Sequence, residues 1–565
     1  MRKLLRFLCG LALAVVPLSA APAPPALDVM VRPVVEAGAF RAIDVAVSFR
    51  GEADGETVLD LPDAWGGEDD LWKALRDIRA DGAALRPGAD DAHRILRHAP
   101  GAAITVRYRV VQETPGEPEA GRRNPYRPII QSSYFHLLGN AIFALPANID
   151  QRAAARFAIS GLPVGAAFAS DAQHPMLTVR ALAESVLTGG DFRVIDAGGG
   201  LRLAIRGVWP ISDADWRTRV SRIGAAQRAY WSASSEPYLV TVIPVAGDPG
   251  STSVGGTGRD DGFAFFATIN AAVGVVERIL GHEMMHTWIP GRIGGMPASD
   301  EQTDYWLSEG FTDWASWRVN VRSGVWSAED FANAFNETLS AYDLSASRTA
   351  GNARIVETFW TDAEVQKLPY QRGLLIATLW DQRVRMATRG ARDFDDVLLR
   401  LQRAARRRPD ITAVQLLPHT MRRTTGVEIG VDLTELVAEG RAIDIPGDIF
   451  APCGAIVIDM KTLWVRGFDF DATQRAGWTV QGVTEGNAAW RAGLRNGMRL
   501  RQWSERSDAR DATRPVTAGV DDNGVRRDIT WTPTDGSVRA VRRLTLASGM
   551  TVAQRNACNA RLGGD

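Results

Sequence analysis

The chain has 565 residues, which at roughly 100–200 residues per domain is enough for several buried cores. Hydrophobic residues make up 45% and charged residues 23%, which excludes wholesale disorder, a collagen or a coiled coil. Lys+Arg 65 against Asp+Glu 66 gives a net charge of −1, so no basic surplus marks nucleic acid as the partner.

The first residues read as an export signal. Arg2, Lys3 and Arg6 precede an apolar run, 7–20, that is too short for a comfortable membrane span. Small residues at Ser19 and Ala21 then make a cleavage site before Pro22. Residues 1–21 are therefore expected to be removed, leaving a periplasmic or secreted protein that does not insert into the membrane after cleavage. Export also removes Cys9 and leaves Cys453 and Cys558, an even pair in an oxidising compartment. A disulfide between them is expected, with two unpaired buried thiols as the alternative.

Three further units follow in chain order. Over 22–208, short alternating or apolar runs at 27–34, 42–49, 104–111, 154–159, 192–195 and 201–205 are broken by Gly, Pro and Asp, the pattern of a β-sandwich-like domain. Over 209–445 the period becomes helical: 212–232, with Ser212 or Asp213 as N-cap, then 271–288, 307–321, 328–339, 371–387 and 393–405, with an apolar strand at 238–245. After Ile445-Pro446-Gly447, strands return at 455–459, 479–483 and 541–546 within a last unit, 446–565.

Gly281-His282-Glu283-Met284-Met285-His286 carries the chemistry. Residues four apart share a helix face, so His282 and His286 can aim both imidazoles at one metal, and Glu283 can serve a bound water as general base. A zinc site needs a third protein ligand and an open position. Glu309, 23 positions after His286 in Trp306-Leu307-Ser308-Glu309-Gly310-Phe311-Thr312, is that ligand, and Asp313, one turn on, can orient a ligand histidine. One Zn2+ per chain is expected.

His282-Glu283-x-x-His286-Thr287-Trp288 followed by Trp306-x-Ser308-Glu309-Gly310-Phe311-Thr312 resembles the glycyl aminopeptidase family of zinc metallopeptidases, thermolysin-like gluzincins that commonly carry a PDZ domain. The resemblance implies a multidomain α+β protein with an N-terminal β domain, a mostly helical thermolysin-like catalytic domain and a C-terminal PDZ-like domain. It implies peptide substrates and release of a small N-terminal residue, Gly or Ala. Leu368-Pro369-Tyr370-Gln371-Arg372-Gly373 is similar to the family's tyrosine segment, which implies that Tyr370 stabilises the oxyanion. Relatives carry a glutamate upstream of the zinc helix that grips the substrate's α-amine, as in monozinc aminopeptidases. Gly258 stands there in Gly255-Gly256-Thr257-Gly258-Arg259-Asp260-Asp261. The edge glycines Gly255 and Gly256 can still bond an extended peptide, and Asp260 and Asp261 are the nearest replacement charges. This departure keeps an endopeptidase of the same mechanism as the alternative. A PDZ peptide-binding scaffold with a non-catalytic zinc site is the alternative of another class. Gly482 to Leu500 resembles the helix and Xaa-Gly turn of a PDZ domain, which implies a peptide ligand for that unit.

Overall fold

The computed structural model describes residues 25–120, 124–172, 177–233, 237–247, 252–259, 261–297, 299–504 and 511–564. The expected signal at 1–21 and Asp260 lie outside the described residues. No helix among the described residues is long and apolar enough to cross a membrane.

Alternation builds the first layer. In Leu27–Glu36, Leu27, Val29 and Val31 are buried while Met30 and Arg32 are exposed, because a period of two turns successive side chains to opposite faces. This strand pairs antiparallel with Ala39–Arg50 and parallel with Ala154–Ile159 at the centre of a six-stranded sheet. Two four-stranded sheets complete a β-rich N-terminal region, and Leu59, Leu96, Phe135 and Leu187 share its core with Val29 and Val47.

A five-stranded sheet comes next, in the order Arg193–Gly198, Leu201–Ile205, Tyr238–Pro244, Gly262–Ala267, Val254–Gly258. Its middle three strands are parallel and both outer strands antiparallel. Gly262–Ala267 is buried throughout, as expected of a strand covered on both faces. On one face Val240, Val242, Phe263 and Phe265 meet Trp216 and Ile223 of helix Asp213–Trp231 and Leu280 and Met284 of helix Val273–Met285. On the other, Leu239, Ile243 and Phe266 meet Tyr134, Leu138 and Val186 of a four-stranded sheet. The expected boundary at 208 therefore cuts this sheet. The strands around 195 and 203 pair with the second unit, because a strand's own pattern does not say which sheet receives it.

The remaining helices pack around Trp306, Phe311, Trp317 and Trp380. Helix Ala363–Ala387, capped by Asp362, starts well before the expected 371 and carries Pro369 inside it. It crosses helix Tyr305–Arg322 at two glycines: a Cβ on Gly373 would lie 1.7 Å from the Trp306 carbonyl oxygen and 2.8 Å from the Gly310 Cα. The stretch expected as one unit at 446–565 contributes to two cores. Phe468, Val480, Leu494, Ala518 and Trp531 form a small core of their own. That segment is inserted between Gly454–Thr462 and Val538–Leu546, which pair as an antiparallel ribbon. Leu544, Cys453, Cys558 and Leu562 instead join the helical core. Over 479–483 the expected strand is reduced to isolated bridges, Asp469 with Gln481 and Thr479 with Arg499.

Candidate metal centre

Helix Val273–Met285 is seated by its own backbone. A Cβ on Gly281 would lie 2.9 Å from Asn320 Nδ2 of the neighbouring helix, and the Gln227 amide donates to the Gly281 carbonyl at 2.7 Å. The following turn brings His282 and His286 together with Glu309 of helix Tyr305–Arg322, one ligand atom from each lying within 4.8 Å of the others.

Hydrogen bonds on the far side of each ring decide what the near nitrogens can do. His282 Nδ1–H donates to Asp313 Oδ1 at 2.9 Å, and His286 Nδ1–H donates to the Ile289 carbonyl at 2.9 Å. The same carbonyl accepts the Thr312 hydroxyl at 3.3 Å. Both Nε2 atoms therefore present lone pairs, 3.1 Å from each other, with Glu309 Oε2 at 3.2 and 3.5 Å. Three electron-pair donors facing one another repel unless a cation lies between them. Ligands about 2.0–2.1 Å from a tetrahedral zinc stand about 3.3 Å apart, so the donor set fits that ion.

Glu283 and Tyr370 reach the same place. The Tyr370 ring stacks on His282 with centroids 5.8 Å apart. Burial, then the Glu309, Glu283 and Asp313 carboxylates, push the phenol well above its ordinary pKa, so it stays protonated at neutral pH. A cleft of about 340 Å³ is lined by Glu283, His286, Glu309, Tyr370 and the strand edge Gly256–Gly258. Gly258 stands hard against the centre: a Cβ there would lie 3.1 Å from His286 Cβ and 3.2 Å from Glu283 Oε2. At Gly256 a Cβ would run into the Phe263 ring at 2.3 Å, and the Gly256 carbonyl accepts the Tyr126 hydroxyl at 3.1 Å. Gly255, in the same edge strand, is not among the cleft-lining residues.

Asp261 does not join the cleft-lining residues; its carboxylate meets Arg292 at 3.3 Å. Trp65, Glu184 and Glu301 do line it, and sequence reasoning passed over all three. Trp65 and Glu184 come from the N-terminal region, where no motif or spacing sets them apart. Glu301 lies two turns ahead of Glu309, and that spacing was the one signal open to a reader. Cys453 and Cys558 are joined by a disulfide at the edge of the helical core, away from the cleft.

Fold and site together define a zinc metallopeptidase: two histidines and a glutamate to hold the ion, with a carboxylate and a phenol beside it. The M61 glycyl aminopeptidase family model matches residues 276–368, the stretch holding all three ligands. No curated protein matches the chain. A crystal structure of an aminopeptidase N family protein from Idiomarina loihiensis is similar at 14% identity and a TM-score of 0.66, over 95% of this chain and 100% of that one. An M1 zinc metallopeptidase from Deinococcus radiodurans is similar at 17% identity and a TM-score of 0.47, over 74% and 94%. Native yeast LTA4 hydrolase follows at 14% and 0.46, over 75% and 69%. The ligand set and the matched stretch together support a zinc-dependent metallopeptidase.

Proposed function

We propose that this protein removes small N-terminal residues, Gly or Ala, from peptides. The observation that carries the reading is the convergence of His282, His286, Glu309, Glu283 and Tyr370 on one cleft beside a glycine strand edge. Zinc held by His282, His286 and Glu309 supplies Lewis acidity, polarising a carbonyl and making water more acidic. Glu283 takes the proton of the attacking water and passes it to the leaving amine. Tyr370, kept protonated, donates to the oxygen on which negative charge develops. Asp313 holds His282 in the tautomer that leaves Nε2 free. The edge Gly256–Gly258 receives an extended peptide backbone.

The absence of a carboxylate at Gly258 favours a second reading, an endopeptidase with the same chemistry. We further assign the inserted unit a PDZ-like, peptide-binding role, supported by its small separate core and by the resemblance of Gly482–Leu500. We assign the protein to the periplasm or exterior, which the Cys453–Cys558 disulfide supports.

A Gly-led peptide offered with a free and with an acetylated N-terminus separates the readings by product mass. Loss of one residue from the free form alone is expected, and internal cuts in both forms would establish the endopeptidase. Glu283→Gln is expected to lower kcat by about 10²–10⁴-fold with zinc still bound, measured by turnover and metal content. Full activity in that variant would remove Glu283 from the chemistry.

A further inference from the structure

We propose that the α-ammonium of the peptide substrate is received by Glu184, held in place by Arg259, with Glu301 completing the acidic end of the cleft. The proposal rests on the aminopeptidase reading above, which requires the enzyme to recognise a free cationic terminus.

The backbone at Gly258 passes so close to His286 and Glu283 that a Cβ there would already press on both, at 3.1 and 3.2 Å. The next residue carries the side chain that shapes this end of the cleft. Arg259 is buried to 0% side-chain exposure, with Nη2 2.9 Å from Glu184 Oε2. Its Nε donates to the Glu184 carbonyl at 2.7 Å and its Nη2 to Asn140 Oδ1 at 3.2 Å. The Trp65 ring covers the guanidinium at 4.7 Å. A planar fork held on several sides cannot swing, so it fixes the Glu184 carboxylate at the cleft wall.

Glu301 faces the same space and makes no ion pair or side-chain hydrogen bond among the described residues. Burial and then the charge of Glu184 raise its carboxyl above the usual value, so the two acids repel across the cleft with no cation acting on Glu301. Arg180 also lines the cleft, one turn before Glu184, and does not offset Glu301. An ammonium between the two carboxylates relieves that repulsion. Tyr305, Ser308 and Glu309 line the same cleft, so the acidic end runs on to the metal ligands rather than standing apart from them. Asp261, one of the two acids that follow Gly258 most closely in sequence, pairs with Arg292.

The test uses the full zinc-loaded chain and the two peptides above. Glu301→Gln is expected to raise KM for the free-amine peptide about 5–20-fold, and Glu184→Gln about tenfold or more, with kcat changed less than about threefold. The preference for free over acetylated amine should shrink by the same factors. Arg259→Ala should lower that preference too, with zinc content unchanged. Glu301 is exposed and makes no ion pair or side-chain hydrogen bond among the described residues, so its variant keeps the test open should Glu184→Gln fail to fold. An undiminished free-amine preference in Glu301→Gln and in folded Glu184→Gln overturns the proposal. Equal cleavage of both peptides by the parent overturns the aminopeptidase reading itself.

Discussion

The Nδ1–H groups of His282 and His286 are both spent on oxygen acceptors, Asp313 and the Ile289 carbonyl, and that choice turns two neutral rings into metal ligands. Asp313→Ala frees the His282 ring to rotate and to take the other tautomer. Zinc affinity is expected to fall about 10–100-fold in competition with a chelator, with kcat recovering at saturating zinc. A drop in kcat that zinc cannot restore would give Asp313 a different task. His282, His286, Glu309 and Asp313 were all legible in the sequence, because spacings of four on a helix are local geometry. Glu184 and Trp65 were not, since more than 70 residues separate them from the strand they face and no periodicity links the two.

At the scale of elements, the site depends on how closely two helices cross. Gly310 follows the ligand Glu309, and Gly373 lies one turn after Tyr370, so the contact between these glycines sets the phenol against the metal ligands. Gly373→Ala would place a methyl inside the Trp306 carbonyl. It is expected to destabilise by about 1–3 kcal/mol or more, and to lower kcat as Tyr370 shifts, read by urea unfolding and turnover together. Both glycines were visible in the motifs, but their role needed the partner helix. A second packed contact sets a pH dependence. Asp171 accepts the Val186 N–H at 2.8 Å, and burial pushes its carboxyl up to about 7. The folded state thus favours the neutral acid. That contribution is complete below the ordinary carboxylate pKa and is lost as pH rises through about 7. Asp171→Asn is expected to raise Tm relative to the parent at pH 8 and much less at pH 4; an equal shift at both would sink this assignment.

For the molecule as a whole, the C-terminal helix Val552–Gly563 returns to the catalytic core and is held there in three ways. Arg318 is buried between Asp393 and Asp395, each 3.1 Å away, and its Nη1 donates to the Arg561 carbonyl at 3.2 Å. Arg322 donates to the Gly563 carbonyl at 3.0 Å, and Arg561 pairs with Asp381. The Cys453–Cys558 bond then closes the loop, spanning a sequence separation of 105 that contains the inserted unit. Replacing both cysteines by Ala is expected to cost about 2–4 kcal/mol of stability, measured by denaturant unfolding of the oxidised parent and the variant. No loss would mean that the arginine contacts and the packing of Leu562 suffice to retain the helix.

The sequence by itself picked out His282, His286, Glu309, the Glu283 carboxylate and the alternation of β-rich and helical regions, because these are written in short motifs and in local periodicity. Only the tertiary structure decided where the domains divide, which strands complete the catalytic sheet, and which acids face the cleft beside Gly258. Those outcomes depend on surfaces brought together across long stretches of chain, where steric fit and charge are set by the neighbour rather than by local pattern.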